Sequence, residues 1–219
     1  MLGNHGRGLT KALFTRPALA LGRLGVTPNM LTVTGTVLSV TAAVTLLPRG
    51  HFVAGPLVLL VVLAADSFDG ILARATGESS VFGAFLDSTM DRIADGAIFG
   101  SLVAWAALHM QDGTLRTTTI VGGLAAVVLA EVVSYARAKA ESMGAQASVG
   151  VAERTDRLVV AAVGVVAVGL GAPPWALTAA LCLVALGSLV TVAQRVLTVR
   201  SQLGAPAEQE PAAGEDGRP

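Results

Sequence analysis

Four aspartates stand close together in a stretch of the chain that is otherwise strongly apolar, DSFDGILARATGESSVFGAFLDSTMD at 66–91. Asp66 and Asp69 are three residues apart, and Asp87 and Asp91 are four apart. On an α-helix, these spacings put the two members of each pair on the same face. Ionisable side chains inside apolar helices are costly and usually functional. The pattern therefore predicts a site at which four carboxylates meet.

The four carboxylates indicate a site for a divalent cation. Close together in a low dielectric, they would repel one another and could not all stay ionised. A cation removes this repulsion, and oxygen ligands without Cys or His suit Mg²⁺, Mn²⁺ or Ca²⁺ rather than Zn²⁺. The alternative is a structural set of hydrogen-bonded or salt-bridged carboxylates, for example with Arg74 or Arg92.

The residues between the aspartates favour a phosphorylated ligand. Gly70 follows Asp69 directly and Gly83 lies one turn before Asp87, so a ligand can approach the backbone at both places. Arg74, one turn beyond Gly70, supplies a guanidinium group suited to phosphate. A divalent cation, two glycines and an arginine together indicate a diphosphate.

Long apolar runs carry these residues. Of the 219 residues, 53% are hydrophobic and only 14% are charged, against about 25% charged residues in soluble domains. A helix that spans a bilayer needs about 20 mostly apolar residues. The sequence has six candidate runs, at 30–47, 53–75, 84–108, 118–137, 158–172 and 175–194. We therefore predict an all-α integral membrane protein with six transmembrane helices, because a soluble helical bundle would need more polar surface.

The two ends of the chain differ from its apolar middle. Residues 1–29 hold a predicted amphipathic helix at 8–23 that lies on the cytoplasmic membrane surface. Its segment carries the basic residues Arg7, Lys11, Arg16 and Arg23. Residues 30–203 form the predicted six-span domain, and 204–219 lack large apolar side chains, which predicts a disordered cytoplasmic tail.

Basic residues indicate the orientation of the spans. They occur in the N-terminal segment, near Arg74, between the fourth and fifth runs and after the sixth run, whereas the opposite loops hold only Arg49 and Arg116. The positive-inside rule places the basic side in the cytoplasm. Both termini and the four aspartates are then expected on the cytoplasmic side. Basic and acidic residues balance at 15 each, which gives no indication of nucleic-acid binding.

The spacing of these residues resembles the signature of the CDP-alcohol phosphotransferase family. The matching positions are Asp66-x-x-Asp69-Gly70-x-x-Ala73-Arg74, eight further residues, and Gly83-x-x-x-Asp87-x-x-x-Asp91. The segment TPNMLTVTG at 27–35 is similar to the one that opens the family's first span. With the six-span plan, the resemblance covers most of the chain except its tail.

The resemblance implies an enzyme that transfers the phosphatidyl group of CDP-diacylglycerol to an alcohol and releases CMP. It implies that Mg²⁺ or Mn²⁺ is held by Asp66, Asp69, Asp87 and Asp91. Asp91 is also the implied general base, which removes the proton of the acceptor hydroxyl. The implied CDP-lipid site consists of Gly70, Ala73, Arg74, Ser80, Thr34 and Asn29. The resemblance further implies a homodimer in the bacterial plasma membrane.

A second basic cluster favours an acceptor alcohol that carries its own phosphate. Its members lie around the fourth and fifth runs and after the sixth, and they are Arg137, Lys139, Arg154, Arg157 and Arg195. The alternative is a set of positive-inside anchors. Because serine or another neutral alcohol needs no such cluster, inositol 1-phosphate and glycerol 3-phosphate are the two candidate acceptors.

The residues around the last two aspartates favour inositol 1-phosphate as the acceptor. The stretch FGAFLDSTMDRIADG at 82–96 resembles the actinobacterial phosphatidylinositol-phosphate synthases. Glycerophosphate enzymes usually have a proline after the third aspartate and a lysine after the fourth, where this chain has Ser88 and Arg92. Phosphatidylinositol phosphate is therefore the predicted product, and phosphatidylglycerophosphate is the alternative.

Asp95 extends the face of Asp87 and Asp91 by a further turn. It either orients a metal ligand or Arg92, or it is a buried, hydrogen-bonded carboxylate. The sequence favours neither interpretation over the other.

Two functions of other classes account for fewer of these features. A membrane prenyltransferase also uses aspartates and Mg²⁺ on a diphosphate, but Gly-x-x-Ala-Arg is not expected there. A divalent-cation transporter would place its carboxylates near the bilayer midplane on discontinuous helices, whereas these carboxylates are predicted near one side. Release of CMP rather than pyrophosphate separates the first rival, and metal flux without a CDP-lipid separates the second.

Overall fold

The computed structural model describes residues 25–76 and 80–204, except for the side chains at 66–71 and 73–76. Within this part of the chain the fold is all-helical. Its α-helices are α1 (Pro28–Leu46), α2 (Ala54–Thr76), α3 (Val81–His109), α4 (Thr114–Ser142), α5 (Arg154–Gly169) and α6 (Trp175–Leu203), with a short 3₁₀ helix at Leu47–Arg49. The all-α prediction is confirmed, and each predicted apolar run coincides largely with one helix.

Side-chain caps begin the helices at one end of the bundle. Thr27 caps α1 and Ser80 caps α3, each by accepting a hydrogen bond from the backbone N–H three residues further on. A capping box of Glu153 and Asp156 begins α5. These local signals determine where three of the helices begin.

Consecutive helices run in opposite directions, because short connections join them. The N-termini of α1, α3 and α5 share one end with the C-termini of α2, α4 and α6. We call it the aspartate end, because Asp87 and Asp91 lie in the first turns of α3. At the opposite end, the rings of Phe52 and Trp105 pack with their centroids 4.7 Å apart.

The helices on one side of the bundle are closely packed. The contact between α4 and α6 is the most extensive of all helix pairs. A Cβ added to Gly122 would lie 2.9 Å from Cys182 Sγ, and one added to Gly164 would lie 2.3 Å from Ala180 Cβ. Small residues at such crossings are typical of membrane helices, whose backbones approach closely. By contrast, α2 touches α5 only sparsely, which leaves space between them.

Three stretches of the described chain are long and apolar enough to cross a membrane, namely Pro28–Arg49, Thr114–Ser142 and Trp175–Leu203. Ala54–Ala65 within α2 is a shorter apolar helix. The six-span topology therefore stays a prediction. The predicted amphipathic helix at 8–23 and residues 205–219 of the predicted tail lie outside the described residues.

Two helices continue past the predicted apolar runs at the aspartate end. α4 reaches Ser142 and α6 reaches Leu203, because backbone hydrogen bonds within a helix do not require apolar side chains. The two extensions flank the connection between α4 and α5, residues 143–153, which we call the α4–α5 loop.

Candidate active site

Asp87 and Asp91 lie one turn apart on α3, and both line a cavity of about 620 Å³. Asp87 is exposed, and the side chain of Asp91 is 23% exposed. The side chains of Asp66 and Asp69 on α2 lie outside the described residues. The structure therefore brings one predicted pair to a cavity, and the convergence of all four carboxylates stays a prediction.

The cavity joins a polar end to an apolar groove. Asp87, Asp91, Arg154 and Thr155 form its polar lining. The rest of the lining comes from apolar side chains of α2, α3 and α5, among them Leu63, Leu102, Leu158 and Val165. A cleft with this division suits a ligand that has a charged head and long hydrocarbon chains.

Arg154, the first residue of α5, bridges two acidic residues of α3. Its Nη1 lies 2.8 Å from Asp91 Oδ1, and its Nε donates a hydrogen bond to Asp95 Oδ1 at 3.0 Å. Its Nη2 is buried and has no hydrogen-bond partner among the described residues. Arg154 is thus the predicted acceptor-phosphate residue that the structure places directly beside Asp91.

Asp95 is the centre of a larger group of charges, which we call the Asp95 network. Its side chain is only 2% exposed, and both Arg92 Nη2 and Arg157 Nη2 lie 3.8 Å from its Oδ2. Arg92 Nε also lies 4.0 Å from Glu131 Oε2 on α4. Burying a charge is unfavourable unless it has partners, and here three guanidinium groups, including that of Arg154, supply them.

The contacts of Asp95 fit both interpretations given for it in the sequence analysis. The carboxylate is buried and hydrogen-bonded, and it also contacts Arg92, as both interpretations allow. Its bond to Arg154 connects it to Asp91, a residue predicted to bind a metal. Arg154 pairs with Asp91, and Arg92, one of the example partners of the structural alternative, pairs with Asp95.

Arg195 lies in a second polar region, which we call the loop clamp. Its side chain is almost fully buried, and it donates from Nε to Val149 O at 2.9 Å and from Nη1 to Val133 O at 2.5 Å. The first acceptor is in the α4–α5 loop and the second is in α4. Arg195 on α6 therefore ties the loop to two helices.

Two further side chains of α6 complete the loop clamp. Thr191 Oγ1 accepts a hydrogen bond from Ala152 N at 3.0 Å. Gln202 exchanges two hydrogen bonds with the backbone of Gln146, at 2.8 and 2.7 Å. Arg157 joins the clamp to the Asp95 network, since its Nη1 donates to Ala152 O at 2.9 Å.

The remaining two members of the predicted acceptor-phosphate cluster lie on the exposed last turns of α4. Arg137 Nε pairs with Glu141 Oε1 at 2.8 Å, and Lys139 is exposed. The five predicted residues therefore have different surroundings. Arg154 and Arg157 contact acidic residues of α3, Arg195 contacts backbone carbonyls, and Arg137 and Lys139 face outward.

Asn29 and Ser80, two predicted CDP-lipid residues, meet at the start of α3. A Cβ added to Gly83 would lie 3.2 Å from Ser80 Oγ and 3.4 Å from Asn29 Oδ1. The missing side chain of Gly83 thus lets α1 approach α3 at this point. Thr34 is exposed on α1. The other predicted members, Gly70, Ala73 and Arg74, belong to the part of α2 whose side chains are not described.

The donor chemistry fits a hard divalent cation, since the acidic cavity lining supplies carboxylate oxygens. Within the described part of the chain, however, no group of three or more His, Cys, Asp or Glu side chains is placed to hold a metal ion. Asp87 and Asp91 therefore need further ligands, and Asp66 and Asp69 on α2 are the predicted ones.

Thr155 lines the polar end of the cavity and was not predicted from the sequence. The apolar lining of the groove was not predicted residue by residue either. Adjacency to Arg154 was the only sequence signal for Thr155, because which side of α5 faces α3 depends on packing between distant segments.

Comparison with known proteins gives consistent results. Residues 25–152 match a family model described as CDP-alcohol phosphatidyltransferase. A phosphatidylinositol phosphate synthase of Mycobacteroides abscessus is 43% identical over 197 residues, which are 90% of this chain and 88% of that one.

Two crystal structures of a phosphatidylinositol phosphate synthase of Mycobacterium tuberculosis have a similar fold. The structure with CDP-DAG bound has a TM-score of 0.82 and 37% sequence identity, covering 87% of this chain and 94% of that one. The structure in complex with manganese and citrate has a TM-score of 0.80 and 38% identity, covering 85% and 88% of the two chains.

Proposed function

The chain belongs to the CDP-alcohol phosphatidyltransferase family, and we propose that it transfers the phosphatidyl group of CDP-diacylglycerol to inositol 1-phosphate. The products are phosphatidylinositol phosphate and CMP. The chain is thus an enzyme of phospholipid synthesis and a membrane protein. The observation that carries the proposal is the cavity in which an apolar groove leads to Asp87, Asp91 and Arg154.

The groove suits the lipid part of the donor substrate. Apolar side chains of α2, α3 and α5 line it, so acyl chains can lie against them and stay out of contact with water. The acidic lining at the aspartate end is then next to the diphosphate. The names of the relatives and the CDP-DAG bound in the structural neighbour support this assignment of the groove.

The proposed reaction is a substitution at the phosphorus that carries the diacylglycerol. The acceptor hydroxyl oxygen forms a bond to this phosphorus, the bond to the CMP oxygen breaks, and Asp91 takes the hydroxyl proton. A positioned base of this kind contributes about 10²–10⁴-fold in rate. Asp91 lines the cavity, as a residue in this role must.

A divalent cation is the proposed cofactor, held by Asp66, Asp69, Asp87 and Asp91. Mg²⁺ or Mn²⁺ at such a site neutralises the diphosphate and the charge that develops on the leaving phosphate. The manganese in one structural neighbour supports this choice of metal. The proposed role of Gly70, Ala73, Arg74, Ser80, Thr34 and Asn29 is to hold the CDP part of the donor.

The proposed acceptor site uses the basic residues of the aspartate end. Arg154 is its central residue, because its guanidinium lies within 2.8 Å of the proposed base and is suited to phosphate. The other proposed members are Arg137, Lys139, Arg157 and Arg195. The charged contacts of Arg154 and Arg157 support their assignment more directly than the exposed positions of Arg137 and Lys139 do.

The proposed setting is the bacterial plasma membrane. All six helices span it in this proposal, an N-terminal amphipathic helix at 8–23 lies on its surface, and the aspartate end and both termini face the cytoplasm. The actinobacterial relatives and the distribution of basic residues support this arrangement. A homodimer is also proposed, by family resemblance, and light scattering of the detergent-solubilised protein tests it.

The experiment that tests the function measures CMP release by the purified protein in detergent with CDP-diacylglycerol and Mg²⁺. Inositol 1-phosphate, glycerol 3-phosphate and free inositol are compared as acceptors, with the Asp91→Asn variant as background. We expect release with inositol 1-phosphate alone. Release with glycerol 3-phosphate alone would make the protein a phosphatidylglycerophosphate synthase, and no release with any acceptor would contradict the proposed reaction.

A further inference from the structure

Arg154 has two carboxylate partners, of which one is buried and the other is partly exposed. Its Nε is bonded to Asp95, whose side chain is 2% exposed, and its Nη1 is paired with Asp91, whose side chain is 23% exposed. Asp91 and Arg154 both line the cavity, whereas Asp95 does not. The guanidinium therefore lies between a buried carboxylate and one that a ligand can reach.

The position of Asp95 is itself fixed from several sides. Arg92 and Arg157 both approach its Oδ2, the oxygen that Arg154 does not use. Arg157 is buried as deeply as Asp95, and it is also bonded to the backbone of Ala152. Asp95 thus holds the Nε edge of Arg154 in place, and Nη1 and Nη2 are the atoms left for other partners.

We propose that Asp95 is a positioning residue, which holds Arg154 so that its Nη groups can exchange between the Asp91 carboxylate and the phosphate of the acceptor. A divalent cation that binds Asp91 competes with Arg154 for that carboxylate, and so it favours the state in which Arg154 binds phosphate. This inference rests on the proposed function, in which Asp91 is a metal ligand and the acceptor carries a phosphate.

Arg154 keeps a hydrogen-bond donor that its two carboxylate partners do not use. Buried donors in proteins are usually hydrogen-bonded, and in this network Arg92 Nε and Arg157 Nε also lack a hydrogen-bond partner among the described residues. Arg154 Nη2 is buried without a hydrogen-bond partner among the described residues, although two carboxylates lie nearby. A phosphate at the polar end of the cavity would supply acceptors for it.

Exchange has a thermodynamic consequence, because the cation and the acceptor phosphate then assist each other in binding. The cation releases Arg154 from Asp91, and the phosphate, by binding Arg154, releases Asp91 for the cation. Such coupling is reciprocal and commonly amounts to about 5–150-fold in affinity. Direct attraction between cation and phosphate also couples their binding, so a test must change Arg154's anchoring without relying on charge alone.

The test measures Mn²⁺ binding to the full-length protein in detergent by the electron paramagnetic resonance of free Mn²⁺. The titration is done without and with saturating inositol 1-phosphate, and is repeated with inorganic phosphate. We expect the wild-type dissociation constant for Mn²⁺ to fall about fivefold or more when either phosphate is present. In Asp95→Asn the fall is expected to be less than about twofold.

Glu131→Gln is the matched control. It removes the same charge from the Asp95 network, but Glu131 contacts Arg92 and not Arg154, so it should keep the wild-type coupling. Arg154→Lys is the second variant, because a single ammonium group keeps the charge but cannot reproduce the fork that reaches both carboxylates. It should lose the coupling as Asp95→Asn does.

A second readout is the KM of the acceptor. Asp95→Asn should raise the KM for inositol 1-phosphate about tenfold while it changes the KM for CDP-diacylglycerol less than twofold, since the apolar groove is untouched. A general loss of folded protein would lower kcat without this separation. Thermal unfolding of each variant provides the folding control.

Three outcomes would overturn the inference. The first is wild-type coupling in a folded Asp95→Asn protein, and the second is an equal loss of coupling in Glu131→Gln. If Asp95→Asn does not fold, wild-type coupling in Arg154→Lys is the third. Failure of the proposed function is separate: an enzyme that uses another acceptor would still show coupling between Mn²⁺ and inorganic phosphate.

Discussion

The Asp95 network and the loop clamp both use arginines at the aspartate end, but the arginines have different partners. In the network, Arg154 meets the carboxylates of Asp91 and Asp95. In the loop clamp, Arg195 meets the backbone carbonyls of Val149 and Val133. A carboxylate in a cavity can exchange its partner for a metal or a ligand, whereas Arg195 is almost fully buried and bonded to carbonyls of the backbone, which belong to the fold itself.

This difference shows that a cluster of basic residues in a sequence can have two functions in the fold. The five predicted phosphate-binding residues share a charge and lie around the ends of the last three apolar runs, which gives them one pattern in the sequence. Their partners place Arg154 beside Asp91, the proposed base, and give Arg195 a contact with the backbone. Arg157, which contacts both regions, connects the Asp95 network to the α4–α5 loop.

The largest effect is expected on the network side, from Asp91→Asn. Without a carboxylate to take the acceptor proton, CMP release should fall about 10²–10⁴-fold. Tm should change little, because Asp91 is partly exposed and its removal leaves Arg154 bonded to Asp95. Asp112→Asn, on a highly exposed side chain at the opposite end of the bundle, is the control and should keep its activity. Full turnover by Asp91→Asn would exclude the residue as the base.

The next effect is expected on the loop-clamp side, from Arg195→Gln. The change leaves the carbonyls of Val149 and Val133 without their charged donor and should lower the free energy of unfolding by about 3 kcal/mol. For a chain of this size, Tm falls by roughly 6–12 °C. Thermal unfolding in detergent measures it.

Arg200→Gln is the control for this change, because Arg200 lies on the same helix and is exposed. We expect it to shift the free energy of unfolding by less than about 0.5 kcal/mol. Equal stability of Arg195→Gln and Arg200→Gln would show that the loop clamp contributes nothing measurable, and the contrast between the two regions would then disappear.

A backbone change in the α4–α5 loop sharpens the same contrast. Gly150 has a φ of +156°, and a Cβ there would lie 2.4 Å from Thr191 Cγ2, whereas Gly144 has a φ of +76° with no such neighbour. Both glycine-to-alanine changes strain the backbone by about 1–2 kcal/mol, but Gly150→Ala also overpacks the loop clamp and should cost about 1–3 kcal/mol more.

Limited proteolysis within the loop and Tm together measure this difference. Gly150→Ala should be cut faster and unfold at a lower temperature than Gly144→Ala. If the two variants behave alike, the contact between the loop and Thr191 does not limit the stability of this region.

The smallest effect is expected in the apolar groove. Ala162→Phe places a ring in the cavity lined by α5 and should raise the KM for CDP-diacylglycerol about threefold to tenfold, equivalent to about 1 kcal/mol. The KM for the acceptor should not change. Val163→Phe is the matched control, because Val163 does not line the cavity and is largely exposed. An equal effect of both variants would contradict the assignment of the groove to the lipid.

Much of the fold could be predicted from the sequence, because helices are local structures. The apolar run at 30–47 became α1 (Pro28–Leu46), and the run at 53–75 became α2 (Ala54–Thr76). The largest boundary difference is in α6, whose helix continues to Leu203 although its apolar run ends at 194. Hydrophobicity indicates where a membrane helix is buried in lipid, but it does not indicate where the helix ends in water.

The candidate site could be predicted only in part. The i, i+4 spacing correctly put Asp87 and Asp91 together, and both line the cavity. The partner of Asp91 was not predicted, since the sequence alternative paired the aspartates with Arg74 or Arg92. Arg154 follows Asp95 by 59 positions, and no local rule relates residues so far apart.

The sequence by itself determined the helices, the shared face of the aspartates and, through its signature, the family. These properties depend on residues within one or two turns of each other, where backbone geometry fixes which side chains are neighbours. Only the tertiary structure decided which arginine meets a carboxylate and which meets a carbonyl. That choice depends on how α5 and α6 pack against α3 and the α4–α5 loop, because side-chain partners across helices are set by packing and not by position in the chain.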